Sequence, residues 1–567
     1  MLKELISVAA GRKKADLVLK NCRIVNVFTG EIEEGDIAVY GGHIAGVGNY
    51  NGAETVIDCG GRYAMPGFID AHVHIESTHL SPAQFARTVV PRGTTTVIAD
   101  PHEIANVCGI EGIRYIYEES KKLPLDVRIM FPSCVPATPF ETSGAALSSA
   151  EMEEHLLSGI FHGVGEMMNF PGVIFCDDEV LKKIELTRRE GRVIDGHAPG
   201  LSGERLNAYL AAGIKTDHEC TSKEEMLEKL SKGMYVLIRE GSATQNLEEL
   251  IKSVTPYNMR RCLLCTDDKT PHDLEAKGHL DHSIRLAAKY GIPFASAVCM
   301  ATLNAAEAYG LKDRGAIAPG YLADIVIADS ALTVERVYKN GRLVAEGGMP
   351  LFETGSCPPK SVLGTVRIKD ISIDKLKIRL KGNRAKVIKI IEKSIVTDSV
   401  VREVSVKDGC FVPGGDLLKL AVVERHKGTG NVGMGILEGF GLKGGAIATS
   451  VAHDSHNLIV VGDDDGDMLL AIRELERVGG GITLCSGGKV LKTLSLEIGG
   501  LLSTLPAGQF SKRYSELQET AYRMGVSYGI EPFMTLSFMS LSVIPHLKVT
   551  DLGLFDVDKF AFTEIDA

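Results

Sequence analysis

The chain has 567 residues, 44% of them hydrophobic, and a formal net charge of -11 at pH 7. That length exceeds what one core reaches, so two or three domains are expected, and the mildly acidic balance with scattered Lys and Arg gives no footprint for nucleic acid or an anionic membrane. Its 12 Cys show no regular spacing, as expected of reduced thiols in a cytoplasmic protein rather than a disulfide framework. The apolar stretch LISVAA is too short for a signal peptide, and no run of about 18 apolar residues offers a membrane span.

Residues 1–65 carry alternating apolar runs broken by turn signals, as in ADLVLKNCRIVNVFTGEIEEGDIAVYGGH, and predict a small β module. From 66 to 320, short β-branched runs alternate with helical segments such as SKEEMLEKLSKG, the pattern of a parallel sheet with crossover helices. Strands are expected to end near His72, Asp100, Pro132, Glu166, His197, His218, Arg239 and Asp267. Eight such units predict a closed (β/α)8 barrel, an α/β fold. An open doubly wound sheet is the alternative, but no Gly-rich phosphate turn follows the first strand. Strand texture returns at 321–355, with Asn340-Gly341 as a hairpin signal, so the two β segments are expected to pair. After the linker LFETGSCPPK, residues 356–567 read as an α+β domain whose Gly-rich clusters lack phosphate-loop spacing.

Barrel enzymes place their chemistry at the C-terminal ends of the strands. In PGFIDAHVHIESTHL, strand alternation points His72 and His74 to one side, where two imidazoles can share a cation. Glu166, His197, His218 and Asp267 end four further strands, a donor set sufficient for two adjacent divalent ions bridged by Glu166. Nitrogen and oxygen donors suit Zn, Mn or Fe alike. A metal-bound water ionises near neutral pH, with Asp267 as proton acceptor. Glu103, and after it Glu76, are candidates for the general acid, and Asp100 and His102 for holding a further metal. Arg239 and Ser242 are candidates for holding a polar heterocycle, and His453 and His456, in SVAHDSHN, for closing a lid over the barrel mouth.

Together, PGFIDAHVHIESTHL, VIADPHEIANV, VGEMMNFPGV, IDGHAPGLSG, TDHECT, CTDDKTPHDL and SVAHDSHNLIVVG resemble the amidohydrolase superfamily and, within it, the bacterial and archaeal adenine deaminase family, over nearly the whole chain. The resemblance implies a deformed barrel flanked by a β-sandwich module, with His72, His74, Glu166, His197, His218 and Asp267 as ligands and Mn or Fe as the favoured metal. Many superfamily members bridge their metals with a carboxylated lysine. Glu166 stands at that position here, which fits the deaminase branch and puts ring-opening members in doubt. The implied reaction is hydrolytic deamination of adenine to hypoxanthine and ammonia by a homo-oligomer, dimer or tetramer, with a dihydropyrimidinase-like ring opening as the alternative. The separate zinc deaminases use H-x-E with P-C-x-x-C, which is missing from this sequence.

Overall fold

The computed structural model describes residues 1–567 except Ala243, Ser356, Lys393 and Ile395. A sheet of nine strands precedes and follows the barrel in sequence, its N-terminal strands running from Ala15–Val25 to Tyr63–Pro66 and its later ones from Ile325–Ala328 to Met349–Pro350. Tyr63–Pro66 pairs antiparallel with Ile325–Ala328, so the chain enters and leaves the barrel through neighbouring strands. In place of the two separate sheets of a sandwich, both halves hydrogen-bond into one continuous sheet. The cause is local: Ala15–Val25 shifts register between Leu19 and Cys22 and pairs first with Ala53–Asp58, then with Tyr63–Pro66.

Eight parallel strands make the barrel. Phe68–Val73, Thr94–Ala99, Asp126–Phe131, Phe161–Met167 and Val193–Gly196 form one run, and Thr216–Asp217, Tyr235–Arg239 and Cys262–Cys265 a second. Central strands are buried on both faces, which explains near-continuous apolar runs such as Thr94–Ala99. Two seams close the ring. At the first, Asp267 N donates to His72 O at 3.0 Å and Thr266 N to Asp70 Oδ1 at 3.1 Å. At the second, Gly196 N donates to Thr216 Oγ1 at 2.9 Å. The sixth strand is only the pair Thr216–Asp217, so His218 lies just beyond a very short element.

The segment after the second strand turns directly into the helix His102–Ser120, which breaks at Gly109 (φ 58°). His102 and Glu103 therefore occupy its first turn. The C-terminal part is built on an eight-stranded sheet whose strands alternate two apolar faces. Ala421, Val423, Leu458 and Val460 pack against the helix Asp465–Val478. Leu420, Val422, Ile459 and Val461 face the other way, into a core shared with barrel residues such as Val73, Ile75 and Ile104. Among the described residues, no helix is long and apolar enough to cross a membrane.

Candidate metal centre

The structure brings all six expected ligands together at the C-terminal mouth of the barrel. His72 Nε2 and His74 Nε2 are 3.2 Å apart, and Asp267 Oδ1 lies 3.2 Å from His74 Nε2 and 3.8 Å from His72 Nε2. Both rings present the correct nitrogen. His72 Nδ1 engages Asp195 Oδ2 at 3.2 Å and His74 Nδ1 the carbonyl of Asp100 at 2.8 Å, which places the ring proton on Nδ1 and leaves each Nε2 lone pair free for a cation. Glu166 is central: Oε1 lies 3.3 Å from His74 Nε2 and 3.3 Å from His102 Nδ1, while Oε2 lies 2.6 Å from His197 Nδ1 and 3.2 Å from His218 Nε2. One carboxylate thus faces both halves of the donor set.

Glu166 is aimed by its neighbours. Its N–H donates to Asp100 Oδ2 at 2.9 Å, and Gly165 makes that approach feasible, because a Cβ there would stand 2.0 Å from the same oxygen. Asp267 adopts a left-handed backbone (φ 55°), a conformation Asp tolerates better than most residues and one that clusters at functional sites. Its Oδ2 pairs with Arg239 at 2.6 Å.

The electrostatics suit cations. Burial opposes the charged forms of Glu166 and Asp267, yet His197, His102 and His218 around the first, and Arg239 and His74 around the second, hold both carboxyls well below the usual range. Burial also opposes charge on the imidazoles, and neighbouring carboxylates overcome it, raising His218 to about 9 and His102 to about 10. Carboxylates that force protons onto buried histidines are the complement of a divalent ion. His102 Nδ1, His218 Nδ1 and Asp100 Oδ1 have no hydrogen-bond partner among the described residues, and His72–His74–Asp267, His72–Glu166–His218 and His74–His102–Glu166 are each compact enough to hold a metal. The residues fit the group.

Outside this set, Arg239 is drawn into ion pairs with Asp267 and Glu219. Ser242 is tied to the short helix Pro271–Ala276 that follows the last barrel strand, donating to Asp273 Oδ2 at 2.6 Å. Glu76 accepts the N–H of Ile104 at 3.1 Å, and burial, then the Glu103 charge, pushes its carboxyl up to about 7. Glu103 instead lines a cavity with Ser77, Asp268 and His453. Sequence reading missed Asp195, Glu219, Asp268 and Ser77. Asp268 was signalled only by the doubled Asp of CTDDK, and burial followed by the Asp267 charge raises its carboxyl.

A parallel (β/α)8 barrel with His, Glu and Asp donors at its strand ends defines a metal-dependent hydrolase of the amidohydrolase kind. The model of the amidohydrolase family matches residues 63–344, and that of the adenine deaminase C-terminal domain residues 394–561. An adenine deaminase of Nitratidesulfovibrio vulgaris (strain DP4) is 52% identical over 100% of this chain and 99% of its own length. Adenine deaminase 2 of Carboxydothermus hydrogenoformans is 49% identical over the same shares. A solved enamidase aligns at 18% identity over 59% of this chain and 97% of its own, with a TM-score of 0.45. The chain belongs to the adenine deaminase family.

Proposed function

We infer that this chain catalyses the hydrolytic deamination of adenine to hypoxanthine and ammonia. The observation that carries the reading is identity of about half to adenine deaminases along the entire chain, beside a donor set gathered around Glu166 at the barrel mouth. His72, His74, Glu166, His197, His218 and Asp267 would hold two divalent ions, Mn or Fe in preference to Zn, with His102 and Asp100 beside them. Metal bound there supplies a hydroxide nucleophile at neutral pH.

The chain's own residues move the protons. Glu103 is held ionised: burial opposes its charge, and His453 with its Nδ1 3.1 Å away, followed by His456 and His102, outweighs burial. It takes one proton of the attacking water and delivers it to N1 of the ring, so that negative charge does not build up there as C6 is attacked. Asp267 takes the second proton and passes it to the departing amine, and both carboxylates end the cycle ionised as they began. Glu103 suits this role better than Glu76, which is engaged by the backbone of the helix His102–Ser120 and does not line the cavity. Free thiols throughout the described residues suit a reducing compartment, and we place the enzyme in the cytoplasm. Adenine incubated with Mn-loaded protein should yield hypoxanthine and ammonia in equal amounts. Ring-opened product without ammonia would favour the dihydropyrimidinase-like alternative.

A further inference from the structure

If Glu103 carries the proton to the ring, which the following rests on, its carboxyl must be aimed, and the barrel does not do this alone. Ser77 Oγ lies 3.4 Å from Glu103 Oε1, but its single proton goes to Asp268 at a shorter distance. The remaining grip comes from the C-terminal domain. His453 Nδ1 stands 3.1 Å from Glu103 Oε1. Its ring stacks on Phe538 at 4.6 Å and 14°, and its backbone N–H donates to Ser537 O at 3.0 Å, so the imidazole is fixed from behind.

His456 approaches the other oxygen, with Nε2 3.7 Å from Glu103 Oε2 and no hydrogen-bond partner among the described residues. The backbone sets its tautomer. Ala452 N–H donates to His456 Nδ1 at 3.2 Å, so Nδ1 is an unprotonated acceptor and the neutral ring carries its proton on Nε2, directed at Glu103. Arg425 holds the His456 carbonyl through Nε. Glu103, His453 and His456 are close enough to enclose an ion. However, the His456 proton occupies the nitrogen that would have to ligate it, the reverse of the arrangement at His72 and His74.

We propose that His453 and His456 are positioning residues: two N–H donors from the C-terminal domain, one facing each oxygen of Glu103, that aim this carboxyl beside the cavity it lines and complete the catalytic centre across the domain boundary. The test is steady-state kinetics and metal analysis of Mn-loaded full-length variants. His453→Ala and His456→Ala should lower kcat for adenine by about 10- to 100-fold, the range for removing a residue that orients a working group. KM and metal content should stay at wild-type level. His453→Asn and His456→Gln, which place an amide N–H where Nδ1–H and Nε2–H stood, should restore most of the loss. Wild-type kcat in both alanine variants would overturn the proposal, as would losses that follow metal content or that the amide variants fail to restore. A wild-type protein that releases no ammonia from adenine would instead sink the assignment of the reaction.

Discussion

At His72 and His74 the side of the ring that faces away from the site decides what the other side can do. With Nδ1 committed to Asp195 and to the Asp100 carbonyl, each Nε2 is left free to face a cation. Asp195 is itself held by Gly196 N–H and Tyr309 O–H, each at 3.1 Å, which fixes the carboxylate that orients His72. Outer partners of this kind typically change metal affinity by about 10–100-fold. Asp195→Asn should therefore release metal to a competing chelator at correspondingly lower chelator concentration while the fold persists, and retention equal to wild type would remove Asp195 from this role. The candidate ligands were legible in sequence because they end strands, a position local patterning reveals. Asp195 was not, because its partner lies 123 positions away and VIDGH offers no local sign of it.

Among the elements, the eight barrel strands were legible from β-branched runs alternating with helical segments. The weakness of the sixth was not: Thr216–Asp217 pairs only along two residues, and the seam beside it depends on close approach of Gly196. A Cβ at Gly196 would stand 2.0 Å from the Thr216 carbonyl, a backbone atom that cannot turn aside. Gly196→Ala should cost about 1–3 kcal/mol through overpacking. Denaturant unfolding would show it as a lower midpoint at unchanged slope, and an unchanged midpoint would mean the seam has more freedom than its geometry shows. The start of the helix at His102 was hidden because Gly109 interrupts the helical pattern in its middle.

Across the whole molecule, the C-terminal part shares a core with the barrel and reaches its chemistry. The loop after the third strand is one hinge of this union: Thr142 N and Oγ1 donate to Asp551 at 2.8 and 2.7 Å, and Asn457 Nδ2 donates to Thr142 O at 2.7 Å. Glu141, buried in that junction, has its carboxyl pushed up to about 8 by burial, then by the Asp454 and Asp551 charges. Its folded value lies above its unfolded one, so its contribution to stability is complete below the unfolded value, near 4.5, and is lost as pH rises to about 8. Glu141→Gln should remove that decline, so that thermal midpoints of variant and wild type diverge upward through this window. Parallel curves would show that Glu141 ionises freely.

The proposed centre is a two-metal site, built around Glu166, that deaminates adenine. Metal-free protein titrated with Mn and assayed for hypoxanthine and ammonia tests it most directly. Activity should rise until two equivalents per chain are bound and then stay level. Full activity at one equivalent, or filled sites that release no ammonia from adenine, would contradict it.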